Sequence, residues 1–157
     1  MLQRIQSIWL FLSSTILLGL FLFPYLNFTN PAGTGKNVFV SGVFSTVNGI
    51  ETKESSFLFL LIGIIVLILF PLYIIFQFRN RKLQLKLIFV QVILLCIYAI
   101  WMWVSASNIW DLNAQDIKAS NIGVGYFILP ISILFLAFAI KGIRNDEKLI
   151  KSADRLR

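Results

Sequence analysis

The stretch Arg79-Asn80-Arg81-Lys82-Leu83-Gln84-Leu85-Lys86 carries four positive charges in eight residues and lies between two runs that carry none. The runs are residues 55–78 and 87–110, each 24 residues long and free of Asp, Glu, Lys and Arg. At 1.5 Å per residue a helix of that length reaches roughly 36 Å, more than the ~30 Å hydrocarbon slab of a bilayer. Two membrane spans joined by a basic loop is the reading that follows. An excess of Lys and Arg in a short loop resists translocation, so Arg79, Arg81, Lys82 and Lys86 place residues 79–86 on the cytoplasmic side and orient the rest.

Composition agrees with a polytopic membrane protein. Of 157 residues 58% are apolar, and mean hydropathy is +0.84, so no segment is left over for a second, soluble domain. The net charge of +7 is confined to short segments flanking apolar runs. Topology and anionic headgroups account for it there, and nucleic acid is not an expected partner. The chain has one cysteine, Cys96, and no histidine. Intrachain disulfides, thiol relays, His-ligated haem, His/Cys zinc sites and Ser-His-Asp chemistry are thereby excluded; no cofactor and no metal site are expected. Cys96 itself, in mid-run, reads as a small buried packing residue.

Residues 6–28 form the expected first span, preceded by Arg4. Its apolar stretch exceeds a signal-peptide core, and Pro24, Tyr25 and Asn27 follow where a small-residue cleavage site would stand, so it reads as retained. Residues 29–54 are the long outer loop. Branched and aromatic residues between Gly-containing turns predict a small β-ribbon there, with strands at residues 38–40 and 44–47. Gly35-Lys36 is not a phosphate loop, since Asn30 and Asn37 replace the glycine and the hydroxyl residue that motif needs. Asn27-Phe28-Thr29 has the pattern of a glycosylation sequon but abuts the membrane.

The second span, residues 55–78, contains Pro71, expected to kink it. The third, residues 87–110, contains Gln91, expected to donate a hydrogen bond to another helix, and Trp101, Trp103 and Trp110 as boundary anchors. After a short outer loop, residues 111–118, comes a fourth span at residues 119–140. The tail, residues 141–157, has six basic and three acidic residues. Glu147 and Lys151 stand at i,i+4, and Leu149, Ala153 and Leu156 make a thin apolar stripe, which predicts a short charged helix. By segment, Lys and Arg number one at the amino terminus, four in the loop and six in the tail, against two and one in the outer loops. Arg4, the four loop cations, Lys141 and Arg144 are thus the expected topology determinants, with both termini cytoplasmic. The expected fold is an all-α integral membrane bundle of four transmembrane helices with the β-ribbon outside.

Both ends of the sequence resemble a family of small four-span inner-membrane proteins of unknown function from Bacteroidetes-type bacteria. The likeness rests on Ile143-Arg144, Asp146-Glu147, Leu149, Ser152 and residues 154–157, with weaker support from residues 1–6 and the basic loop. It implies a bacterial cytoplasmic membrane and brings no catalytic or binding residues. The loop layout also resembles claudin-type proteins, in architecture only, since the loop cysteine pair is lacking.

Three functions are compatible with these residues. First is a structural or partner-binding membrane component without catalysis, touching the bilayer and, through Glu147, Leu149, Lys151, Ala153 and Leu156, a membrane or cytoplasmic protein. Second is a small transporter or channel subunit for an uncharged solute or lipid, since the four spans as bounded above hold no ionisable group suited to coupled transport. Third is a membrane enzyme with its site at the outer boundary, drawing on Asp111, Asp116, Glu51 and Glu54.

Overall fold

The computed structural model describes residues 3–29, 35–47, 50–78, 80–111 and 121–155. Helix α1 (Gln3–Leu22) leads into strands β1 (Leu26–Thr29), β2 (Gly35–Phe39), β3 (Gly42–Val47) and β4 (Ile50–Ser56). Helices α2 (Leu58–Phe76), α3 (Arg81–Asp111) and α4 (Val124–Arg155) follow. Each helix packs on its neighbours in sequence, and α4 closes the ring against α1.

All four helices are long and apolar enough to cross a membrane, with mean hydropathies of 1.9, 3.1, 2.5 and 2.1 over their apolar windows. Only about a third of each window is buried. The remainder is a continuous outer surface of large apolar side chains, such as Phe59 (77% exposed), Phe76 (76%) and Leu22 (74%). Soluble monomers do not expose apolar area on that scale. The buried positions fall on stripes spaced alternately by three and four residues. They are Gln6, Leu10, Ser13, Leu17 and Leu20 on α1; Leu60, Ile64, Leu67, Pro71 and Ile74 on α2; Gln84, Ile88, Gln91, Leu95, Tyr98 and Met102 on α3; and Leu129, Ser132, Leu136, Ala139, Ile143 and Asp146 on α4. That mean spacing of 3.5 is the seam of left-handed supercoiled helices.

The segment between α1 and α2 differs from the predicted two-strand ribbon. It is a four-stranded antiparallel meander in the order β1-β2-β3-β4. Two strands escaped the sequence reading for separate reasons. β1 follows an apolar run and was absorbed into the first span; α1 in fact ends at Leu22, after Phe23 N–H donates to Gly19 O (2.9 Å), and Tyr25 N–H then donates to Val38 O (2.9 Å). β4, an edge strand, is polar on both faces, with Thr52, Lys53, Glu54, Ser55 and Ser56 all exposed, so it carries no apolar alternation. The sheet buries Leu26, Val38, Val40 and Val43 in the same core as the helices. Between β2 and β3 the turn requires Gly42, whose φ is +147° and where a Cβ would stand 2.1 Å from Ser55 O.

Two further expectations are corrected. Residues 81–86 are the first turns of α3 rather than a loop, with Asn80 Oδ1 accepting from Leu83 N–H (3.3 Å) as the helix cap. The charged tail is not a separate helix: α4 runs unbroken over 32 residues, because its buried stripe continues through Ile143 and Asp146 past the last apolar run.

Candidate functional site

The side chains that distinguish this bundle from a purely apolar one lie on the inward stripes, where polar atoms out of reach of water must find partners within the protein. Pro71 sets the first requirement. It has no N–H, so the carbonyl of Leu67, four residues earlier, loses its helical partner. Gln91 Nε2 on α3 donates to that carbonyl at 3.0 Å. Nearby, Ser14 Oγ donates from α1 to Ile68 O (2.8 Å), and Tyr98 Oη donates to Leu60 O (3.0 Å), with Gly63 leaving room for the Tyr98 ring. Gln91 therefore has the interhelical role its sequence context predicted.

If Gln91 serves the proline-freed carbonyl, Gln91→Leu in the native chain will orphan that carbonyl while also removing Gln91 Oε1, itself buried without a partner, for a net cost of about 1 kcal/mol or less. In a Pro71→Ala background, where the carbonyl regains its helical N–H, the same substitution will cost distinctly less. Thermal unfolding of the detergent-solubilised variants measures both, and equal costs would reject the assignment.

Between α1 and α4 two polar layers form. Ser13 and Ser132 share a hydroxyl hydrogen bond (Oγ–Oγ 2.8 Å), and toward the other end of the pair Gln6 Nε2 donates to Asp146 Oδ2. Asp146 is 7% exposed and Gln6 6%. Gly142, one turn before Asp146, lies against the Gln6 side chain, where a Cβ would come within 3.1 Å. At the same end the Arg144 guanidinium sits over the Phe89 ring, 5.9 Å from its centroid, joining α4 to α3. Each neighbouring helix pair is thus tied by at least one polar or cation–π contact.

The sheet end of the bundle is stitched differently. Gly123 N–H donates to Tyr25 O (2.9 Å), Gly125 N–H donates to Pro24 O (3.0 Å), and Leu26 pairs with Ile122 as an isolated antiparallel bridge. Beneath the sheet the Tyr25 hydroxyl and Asn27 Oδ1 are buried without a partner; burial holds the Tyr25 phenol well above its ordinary pKa. On the flank, Gly63, Leu67, Leu94, Tyr98 and Trp101 line an open apolar cleft of about 230 Å³ between α2 and α3.

Of the residues expected to set the topology, Lys82, Lys86, Lys141 and Arg144 are exposed, while Arg81 is half-buried with its Nη1 unpartnered; Arg4 lies in α1, and Arg79 falls outside the described residues. On the tail, Glu147 is half-buried, Leu149, Lys151 and Ala153 lie on α4, and Leu156 falls outside the described residues. Of the four acids considered for catalysis, Glu54 alone has a described side chain. Glu54 pairs with Lys36 (3.0 Å) on the sheet, Glu51 lies in β4, Asp111 ends α3, and Asp116 lies outside the described residues. No group of three or more His, Cys, Asp and Glu among the described residues is placed to hold a metal. Cys96 is exposed rather than buried, on the outward face of α3. The sequence reading missed the Gln6–Asp146 pair; the signal was there, since both stand three or four residues from apolar members of a seam.

A family model described as a domain of unknown function, DUF4293, matches residues 2–156, nearly the whole chain. The chain belongs to the DUF4293 family. No curated protein matches it. The DUF4293 features on view here are therefore those of the bundle itself: a Pro71-centred polar belt, the Gln6–Asp146 layer, and the glycine junction that seats α4 on the sheet.

Proposed function

We propose that this DUF4293 protein is a multi-pass component of a bacterial cytoplasmic membrane, without catalysis, that presents the end of α4 to a partner protein with both termini in the cytoplasm. The observation that carries this reading is the continuity of α4, which runs nine residues past Asp146, through Arg155. A separate, solvated tail would have to order itself on binding; a helix already anchored through Ile143 and Asp146 has less entropy to lose. The outward apolar surface supports the bilayer setting, and the division of Lys and Arg between segments supports the orientation.

The test permutes residues 147–157, leaving Asp146 in its packed layer and the count of Lys and Arg unchanged. The permuted protein is expected to insert and accumulate normally while losing a co-purifying protein that the native chain retains. Reporter fusions after Asn48 and after Arg157 read the orientation separately, the first outside and the second inside. Identical co-purifying sets at equal expression would overturn the docking role.

The runner-up is a small transporter or channel subunit. It draws on one observation: the apolar window of α4 extends to Lys148, so it includes the buried, ionisable Asp146 that the shorter expected span excluded.

A further inference from the structure

We propose that the α3–α4 seam at the Arg144 end of the bundle is a binding site for the headgroup phosphate of an anionic phospholipid of the cytoplasmic leaflet. Lys82 and Lys86 stand one turn apart on α3, Arg144 and Lys148 one turn apart on α4, and all four are exposed. The cation–π contact joins the two rows. Arg144 lies over Phe89, and Lys86, three residues before Phe89, projects from the same side of α3. A guanidinium engaged by a ring through its face keeps the N–H groups at its edge available to oxygen acceptors. No acidic partner is drawn to Lys82, Lys86, Arg144 or Lys148 among the described residues; the only ion pair there is Lys36–Glu54, on the sheet. Asp146 is turned to Gln6, and even with Glu147 counted against the four cations the seam remains positive.

What distinguishes this seam from a loop obeying the charge rule is the surface beside it. One turn further along α3 from the Phe89 ring comes Ile93, 59% exposed, so the positive seam borders an apolar flank. A phospholipid has that sequence of chemistry, an anionic phosphate above hydrocarbon. Basic sites between helices on the cytoplasmic side recognise anionic headgroups by this arrangement. The inference rests on the membrane setting and orientation proposed above, and not on the docking role of the tail.

The test is native mass spectrometry of the full-length protein in detergent, titrated with phosphatidylglycerol or with phosphatidylcholine. Both ends are accessible in a micelle, so the result does not depend on orientation, which the reporter fusions test independently. The native chain is expected to retain phosphatidylglycerol in preference to phosphatidylcholine. The double variant Lys86→Gln, Arg144→Gln should weaken phosphatidylglycerol binding about tenfold or more. Removing the same charge elsewhere, with Lys53→Gln and Lys118→Gln, should leave it within about twofold, and helical circular dichroism should report all variants folded. Arg144→Lys, which keeps the charge and loses the planar fork, should weaken binding severalfold if an unfolded double variant prevents its use. No headgroup preference, equal losses in the two double variants, or displacement of the lipid by millimolar inorganic phosphate would each overturn the assignment.

Discussion

Gly123→Ala is expected to loosen the whole sheet end of the protein, at a cost of about 2–4 kcal/mol, from one added methyl group. A Cβ at Gly123 would stand 2.3 Å from Pro24 O and 3.0 Å from Tyr25 C, both backbone atoms that no rotamer change can move. Relief requires the start of α4 to withdraw from the chain after α1. That withdrawal would sacrifice the hydrogen bonds from Gly123 to Tyr25 and from Gly125 to Pro24, and the Leu26–Ile122 bridge with them. Gly35→Ala is the comparison, because its Cβ would meet only Phe28 O, at 3.8 Å, an ordinary contact. Thermal unfolding in detergent should show a large drop for the first variant and a small change for the second. Equal melting temperatures for Gly123→Ala and the native chain would mean that α4 is not seated on residues 23–25.

The Gln6–Asp146 layer gives the second large effect, and a substitution cycle reads it. Gln6→Leu leaves the Asp146 carboxyl buried without its donor, and Asp146→Leu leaves the Gln6 amide without its acceptor. Each orphaned group costs about 2–3 kcal/mol. The double variant removes both polar groups and continues the apolar stripes of Leu10 on α1 and Ile143 on α4, so its stability should return close to the native value or above it. Strictly additive losses would show that the two side chains act independently. Recovery in the double variant would mean that the pair contributes register rather than stability, as a polar layer does in a coiled coil.

The parts of this fold legible in the sequence were those that depend on length and charge: four helices long and apolar enough to cross a membrane, and a polar segment with strand character between the first two. The inner faces were not legible from apolar periodicity. In helices apolar enough to cross a membrane, outward residues such as Phe59 and Leu69 are as apolar as core residues such as Leu60 and Ile64, so no amphipathic contrast marks the seam. The sparse polar residues mark it instead. Gln91 was read that way because it interrupts a charge-free run. Gln6, Gln84 and Asp146 carry the same information, but they lie where the amino terminus, the basic loop and the tail were delimited by composition. Cys96 misled in the opposite sense, because a small apolar-like residue in mid-span is equally at home facing lipid.

The pairing of α1 with α4 has a consequence for the way this chain is made. Between the end of α1 at Leu22 and the start of α4 at Val124 lie about 100 residues, which a ribosome adds over roughly 5–20 s at 5–20 residues per second. Throughout that interval the helix that satisfies Gln6 and Ser13 does not yet exist. Ser14 finds Ile68 sooner, on the second helix. The newborn α1 therefore waits with its polar stripe half-satisfied, held by α2 alone through Ser14, and the bundle closes only when the final helix is released.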